Sequence, residues 1–249
     1  MKILLALTLV FSLASAGSPD SLTVRFVDPE KKVYVSSATG VWWPVRPKQS
    51  KAGFPHHAAK SHVVVWFHGG MTSGNCQKGF VAGDSFSKLF PDVVVVSISA
   101  CRENHWATGT MVAAVDAALD SVAKRRVSFV EEVSLVGVSD GAIGVMVYSM
   151  QGKRRVKDRL LVSSFGKALG PASQVAAALT AKSGRWRFLQ GGSDRLYPPH
   201  ETLPWIQEFC KNVGVDCDLK YDQAGEHDWS YWLQHRRDWI LEAFLRKTP

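Results

Sequence analysis

Residues 133–144 read VSLVGVSDGAIG, an apolar segment that leads into Gly-x-Ser-x-Gly and then into small residues. This order predicts a strand, a tight turn that carries one serine, and the beginning of a helix. Glycines suit such a turn because a larger side chain would crowd the turn or the neighbouring strand and helix. We interpret Ser139 as a candidate nucleophile. The alternative is a glycine-rich turn with an idle serine, and the choice depends on whether an acid, a base and an oxyanion site follow in suitable places.

The hydrophobic pattern changes its period along the chain. Near the N-terminus, residues 22–27 and 32–36 alternate like two antiparallel strands, and residues 40–45 predict a further strand or strand end. Later apolar runs are continuous, as in strands buried on both faces of a parallel sheet: residues 63–67, 93–98, 133–138, 160–162 and 187–189. Helical patterns occupy residues 110–126, 171–182, 202–213 and 229–246. The alternation predicts an α/β fold, with a mostly parallel sheet flanked by helices and antiparallel strands at its N-terminal edge.

Length and composition are those of one globular domain. The chain has 249 residues, 46% of them hydrophobic, which is enough for one sizeable core. Residues 1–16 predict a secretory signal peptide, with Lys2 before an apolar run that is too short to span a bilayer comfortably. Residues 17–249 would then be a single secreted domain, extracellular or periplasmic. The net charge of +8 favours solubility; neither nucleic-acid binding nor stable membrane insertion after signal cleavage is predicted.

Four cysteines in a chain with a predicted signal peptide indicate disulfides. Three pairings are possible. We expect Cys210 to pair with Cys217, joining a helix end to the next strand, and Cys76 to pair with Cys101, joining two loops. Neither a metal site nor a cofactor is predicted, because no Cys-x-x-Cys or His-rich spacing occurs.

The turn at residues 68–71, HGGM, follows the first continuous apolar run. In parallel sheets, sites form beyond the carboxyl ends of the strands, and a glycine-rich turn there can aim backbone N–H groups into a cavity. The N–H of Asp140, together with that of Gly70 or Met71, would form an oxyanion hole for acyl transfer. We interpret His68 as a structural histidine that braces the turn.

The candidate acid is Asp194, in a loop after the run at residues 187–189. A carboxylate in this place can accept the N–H of an imidazole and hold its tautomer. A turn residue or helix cap is the alternative interpretation. Asp216, Asp218 and Asp222 are rival acids, although the first two lie within a predicted strand.

The candidate general base is His227, which follows the last predicted strand. His200 and His235 fall in helical patterns and are expected at the surface. The chain order is thus Ser139, Asp194, His227, which is the order of a catalytic triad on an α/β-hydrolase sheet.

Three residues after the run at 93–98 are candidate substrate contacts: Arg102, His105 and Trp106. Tryptophan can stack on a sugar or an aromatic acyl group, although core packing is its commoner fate. For the two polar residues, simple surface exposure is the alternative.

The chain resembles secreted α/β-hydrolase esterases of the esterase D, feruloyl esterase and polyhydroxybutyrate depolymerase type. The resemblance extends from about residue 61 to the C-terminus and rests on FHGG at 67–70, GVSDG at 137–141, GSD at 192–194 and HDWSYW at 227–232. It implies an α/β-hydrolase fold and a serine esterase that acts through an acyl-enzyme. It also implies short-chain, feruloyl, acetyl-polysaccharide or polyester substrates. Asp140 departs from the family pattern, in which this position often holds a small or neutral residue. A carboxylate beside the nucleophile could repel anionic substrates or tune the base.

Two other functions stay open on the sequence. A serine peptidase is the nearer one, because a Ser-His-Asp triad can cleave amides as well as esters. The other is a non-catalytic secreted binding protein on the same scaffold, which would need neither the acid nor the base.

Overall fold

The computed structural model describes residues 20–44, 62–70, 73–102, 104–126, 130–179 and 184–244. Several predictions lie wholly or partly outside these residues: the signal peptide at 1–16, Met71 as an oxyanion donor, residue 45 of the strand predicted at 40–45, and the C-terminal ends of the helices predicted at 171–182 and 229–246. In the part of the chain that is described, no helix is long and apolar enough to cross a membrane.

Eight strands form one sheet. In chain order they are β1 Asp20–Val27, β2 Tyr34–Trp42, β3 Val63–Phe67, β4 Val94–Ile98, β5 Glu132–Val138, β6 Arg155–Val162, β7 Arg185–Gly191 and β8 Cys217–Asp222. Their spatial order is β1-β2-β4-β3-β5-β6-β7-β8. β2 pairs antiparallel with β1 and β4, and all other neighbours are parallel. The predicted sheet is confirmed, and the strand predicted at 40–45 is, as far as Trp42, the end of β2.

Helices cover both faces of this sheet. Those of the described residues are α1 Gly79–Ala82, α2 Asp84–Leu89, α3 Gly109–Arg126, α4 Gly141–Gln151, α5 Ala172–Ala178, α6 Pro199–Asn212, α7 Trp229–His235 and α8 Arg237–Phe244, with a 3-10 turn at Lys167–Leu169. Successive residues of β3 face opposite ways. Val63, Val65 and Phe67 join the core under α3–α6, whereas Val64 and Trp66 join the core under α2, α7 and α8. Burial on both faces explains why the strand is apolar throughout.

The C-terminal helix predicted at 229–246 is two helices in the structure. Arg236, between α7 and α8, has φ −138°, which lies outside the helical region. Its N–H closes α7 by donating to the carbonyl of Trp232 at 3.0 Å. Its guanidinium pairs with Asp222 at the end of β8, with 2.8 Å between the charged groups, and this contact holds the break against the sheet.

Both predicted disulfides are present. Cys76–Cys101 joins the loop after β3 to the end of β4, and Cys210–Cys217 joins α6 to the first residue of β8. The pairing preferred from the sequence is therefore confirmed.

Candidate active site

Ser139 lies on a strained turn between β5 and α4. Its φ is +54°, a left-handed value that few non-glycine residues adopt, and its N–H donates to the carbonyl of Val162 at 3.0 Å. A Cβ on Gly137 would lie 2.5 Å from the carbonyl oxygen of Gly141, and one on Gly141 would lie 2.0 Å from the carbonyl oxygen of Phe67. Both glycines are thus required by close approach of the backbone, as the sequence predicted.

The structure brings the three predicted side chains together. His227 Nε2 lies 3.0 Å from Ser139 Oγ, and His227 Nδ1 lies 3.1 and 3.0 Å from the two carboxylate oxygens of Asp194. An ionised carboxylate only accepts hydrogen bonds, so the imidazole proton belongs on Nδ1. Nε2 is then free to accept the proton of the serine hydroxyl, which is the arrangement of a general base.

Asp194 is held from behind by its own loop. The residue is 2% exposed, and its Oδ1 accepts the N–H groups of Leu196 and Tyr197 at 3.0 and 2.9 Å. The rival acids lie elsewhere along β8. Asp216 forms an exposed pair with Arg187, and Asp222 is engaged by Tyr231 and Arg236. Asp218 is exposed.

Two residues that sequence reasoning missed fix the loop that carries the base. Trp232 Nε1 donates to the carbonyl of Glu226 at 3.1 Å and to Ser163 Oγ at 3.0 Å. Ser163 Oγ in turn donates to the same carbonyl at 3.3 Å. Ser163 directly follows β6 and lies in the left-handed region, with φ +52°. The carbonyl just before His227 is therefore held by two side chains, one of which lies within the HDWSYW motif.

His68 braces the glycine turn after β3, as expected. Its Nε2 accepts the N–H of Ala100 at 3.0 Å, so Nδ1 carries the proton and donates to the carbonyl of Gly69 at 2.8 Å. The ring is 4% exposed, and burial lowers the pKa of His68 to about 4. The histidine therefore stays neutral at physiological pH.

Lys78 is a second brace on this turn, and the sequence did not point to it. Its Nζ donates to the carbonyls of Gly69 and Gly70 at 3.3 and 3.1 Å. In a trans peptide the C=O and the next N–H point opposite ways, so a fixed Gly69 carbonyl fixes the direction of the Gly70 N–H. Gly69 lies against the nucleophile, because a Cβ there would be 3.0 Å from the Cβ of Ser139.

Of the three predicted substrate contacts, one is buried in the core and two keep some exposure. Trp106 was expected to line the cleft; instead it is 1% exposed, packs on Phe67, and donates its indole N–H to the carbonyl of His68 at 2.9 Å. Core packing therefore takes this tryptophan out of the candidate substrate site. Arg102 is exposed beside a groove of about 400 Å³ at the end of β4. His105 is half-buried, and among the described residues its Nδ1 has no hydrogen-bond partner.

A tyrosine not singled out from the sequence forms one wall of the site. Tyr197 stacks on the imidazole of His227, with ring centroids 5.5 Å apart and 26° between the planes. Its hydroxyl donates to Oδ1 of Asp140 at 3.0 Å. Burial, with the nearby carboxylate of Asp140, raises the pKa of Tyr197 to about 12, so the phenol stays protonated. Asp140, which follows the nucleophile, is thus hydrogen-bonded to Tyr197, which packs on the base.

The sheet order, the turn at Ser139 and the solved structures that match identify the fold: the chain has the α/β-hydrolase fold. No protein-family model and no curated protein matches it. It is similar to a thermostable esterase, with 13% identity and a TM-score of 0.59 over 90% of this chain and 63% of that chain. A cold-adapted esterase from an Arctic intertidal metagenomic library matches with 14% identity and a TM-score of 0.59, over 91% of this chain and 94% of that chain.

A peptidase is also among the similar structures. The acylaminoacyl peptidase of Pyrococcus horikoshii matches with 12% identity and a TM-score of 0.61, over 91% of this chain and 41% of that chain. The chain thus spans less than two thirds of the length of this peptidase and of the thermostable esterase. At such identities the likeness shows the fold.

Proposed function

We propose that the protein is a secreted serine hydrolase that cleaves carboxylic esters through an acyl-enzyme. The observation that carries the proposal is the unbroken hydrogen-bond path from Asp194 through His227 to Ser139, with 3.0 Å between His227 Nε2 and the hydroxyl on the strained turn.

The first half of the reaction forms the acyl-enzyme. Ser139 Oγ attacks the ester carbonyl while His227 Nε2 takes its proton, and Asp194 stabilises the imidazolium. The oxyanion accepts the N–H of Asp140 and the N–H of Gly70, with Met71 as the alternative donor in that turn. When the tetrahedral intermediate collapses, the C–O bond to the alcohol breaks and His227 protonates the departing oxygen.

The second half releases the acid. Water gives a proton to His227 Nε2 and attacks the acyl carbonyl. When the second tetrahedral intermediate collapses, the bond to Ser139 Oγ breaks, His227 returns the proton to Oγ, and the acid leaves. Each oxyanion donor is expected to contribute about 10²–10³ to the rate.

The preference for esters over amides rests on the resemblance to secreted esterases, which also suggests short acyl, feruloyl, acetyl-polysaccharide or polyester substrates. A serine peptidase is the second candidate, favoured by the likeness to an acylaminoacyl peptidase. Secretion is supported by two disulfides, which persist in oxidising compartments.

The test uses residues 17–249, the exposed-serine variant Ser230→Ala as a control, and Ser139→Ala. We expect wild type and Ser230→Ala to hydrolyse p-nitrophenyl acetate and to be labelled by a fluorophosphonate probe, with the label mapped to Ser139. Folded wild-type protein that is neither labelled nor active would support the binding-protein alternative. Activity on peptide anilides that exceeds activity on every ester would favour the peptidase.

A further inference from the structure

The carboxylate of Asp140 lies beside the candidate nucleophile without a cation of its own. Asp140 directly follows Ser139 and is partly exposed. Its partner is the hydroxyl of Tyr197, a neutral donor at 3.0 Å. Among the described residues, no lysine or arginine forms an ion pair with Asp140; the ammonium of Lys78 donates to the carbonyls of Gly69 and Gly70 instead. The carboxylate of Asp140 therefore has no direct cationic partner among the described residues.

Tyr197 fixes the position of this charge relative to the reacting atoms. Its ring stacks on His227 and its hydroxyl holds Asp140 Oδ1, so the base and the carboxylate share one rigid wall. The same hydroxyl lies close enough to Ser139 to affect the pKa of the phenol. The phenol hydroxyl thus links Asp140 to Ser139, so the carboxylate lies on the same wall of the site as the reacting hydroxyl.

We propose that Asp140 selects esters that carry a cationic nitrogen within a few atoms of the scissile carbonyl, on either the acyl or the alcohol side, and that Tyr197 is its positioning residue. This inference rests on the proposed ester hydrolysis at Ser139. A unit charge about 6 Å from a carboxylate, at an effective dielectric constant of about 40, corresponds to about tenfold in kcat/KM.

The positive overall charge of the protein opposes the expected preference for cationic esters, so that preference would point to groups within the site. The chain carries a formal charge of +8, so its long-range field attracts anions and repels cations. A preference for cationic esters would therefore reflect local groups of the site rather than the overall field, and replacing Asp140 tests whether the carboxylate is the group responsible. Asp228, exposed and adjacent to His227, is the carboxylate that serves as a control.

The experiment compares esters that differ only in charge. The acyl series is benzyl 3-aminopropanoate, benzyl butyrate and benzyl hydrogen succinate, in which an ammonium, a methyl or a carboxylate ends the same chain. The alcohol series is acetylcholine and its neutral isostere 3,3-dimethylbutyl acetate. The quantity measured is the ratio of kcat/KM for the cationic ester to that for the neutral ester.

We expect wild type to show a ratio of about ten in at least one series, and the series that shows it assigns the side of the ester. Asp140→Asn, which keeps the shape and the backbone N–H, should lower the ratio to about one or below. Asp228→Asn should leave the ratio unchanged. Tyr197→Phe keeps the carboxylate and the ring stack but releases Oδ1, so its ratio should fall between those of wild type and Asp140→Asn.

Two results would overturn the inference: a wild-type ratio at or below one in both series, or a ratio that Asp140→Asn leaves intact. An unchanged ratio in Tyr197→Phe would remove the positioning role alone. A binding measurement separates failure of this inference from failure of the hydrolase proposal, because it needs no turnover. The same esters are bound to Ser139→Ala and to the double variant Ser139→Ala with Asp140→Asn. Tighter binding of the cationic ester to the first protein only would support the cation site, and equal binding to both would reject it.

Discussion

Ser134 lies within β5 and Ser139 lies on the turn that follows it. Each serine belongs to a cluster with a histidine and an aspartate, but only one cluster is arranged for catalysis. The carboxyl-end cluster is Ser139, His227 and Asp194. The amino-end cluster is Ser134, His62 and Asp158, with 2.8 Å between His62 Nε2 and Ser134 Oγ. The two serines are five positions apart, or about 16 Å along a strand.

The clusters differ in the order of their hydrogen bonds. At the carboxyl end the aspartate lies behind the histidine, which leaves Nε2 free to accept from the serine. At the amino end the serine lies in the middle: its hydroxyl donates to Asp158 Oδ2 at 3.3 Å, so His62 Nε2 must donate to the serine oxygen. That histidine cannot act as a base toward Ser134.

Exposure and charge separate them further. Ser134 is 0% exposed within the sheet, whereas Ser139 is partly exposed on its turn. Asp158 also accepts from Arg185 Nε at 2.7 Å, so its charge is already paired. The three residue types alone therefore do not define a triad. The order of their hydrogen bonds and the position of the serine just beyond the end of a strand define it.

The largest expected difference between the clusters is in turnover. Ser139→Ala should lower kcat on p-nitrophenyl acetate by about 10⁶, because it removes the nucleophile of a unit that acts together. Ser134→Ala should leave kcat within about threefold, since the buried hydroxyl never meets substrate, and should cost about 1–3 kcal/mol of unfolding free energy by leaving Asp158 short of a donor. Kinetics and thermal unfolding on both variants check this. Comparable losses of kcat in two equally folded variants would contradict the distinction.

The sequence predicted the sheet, the turn and the three carboxyl-end residues because each depends on local pattern or strand order. Ser139 lies in a motif, and Asp194 and His227 each follow a strand. Tyr197, Lys78 and the amino-end cluster were not predicted. Their roles depend on side-chain contacts between distant segments: His62 and Ser134 are 72 residues apart, and no spacing rule joins them.

The corresponding aspartates give the second comparison. Asp194→Asn should lower kcat by about 10⁴, because the amide would donate to His227 Nδ1 and move the ring proton to Nε2, where it blocks acceptance from Ser139. Asp158→Asn should leave kcat within a few fold. Steady-state kinetics at neutral pH checks both. A large loss of kcat in Asp158→Asn with an unchanged melting temperature would mean that the amino end takes part in catalysis.

A third comparison concerns stability. Asp158 is 1% exposed, and its ion pair with Arg185 is largely buried, so Asp158→Ala should lower the unfolding free energy by about 3 kcal/mol, because it removes the carboxylate that pairs with this guanidinium. Asp218→Ala, at an exposed position on the neighbouring part of the sheet, should change it by less than about 0.5 kcal/mol. Urea unfolding measures both. Equal effects would show that the amino-end pair is not a structural anchor.

The smallest expected effect is the pH dependence of stability that His62, at the amino end, contributes. Burial, with the positive charge of Lys157, lowers the pKa of His62 below its ordinary 6.5, while Asp158 and Glu132 oppose the shift. The unfolded chain therefore binds a proton more readily than the folded one, so stability is full above about pH 6.5 and is lost as pH falls from there toward the lowered pKa.

His62→Gln isolates this effect, because its amide can still donate to Ser134 but does not titrate. The loss of unfolding free energy between pH 7 and pH 5 should be smaller in the variant than in wild type; His68 contributes equally to both proteins and cancels. The pH–rate profile should stay superimposable, because the base lies at the other end of the sheet. A shifted rate profile with an unshifted stability curve would reverse the roles assigned to the two histidines.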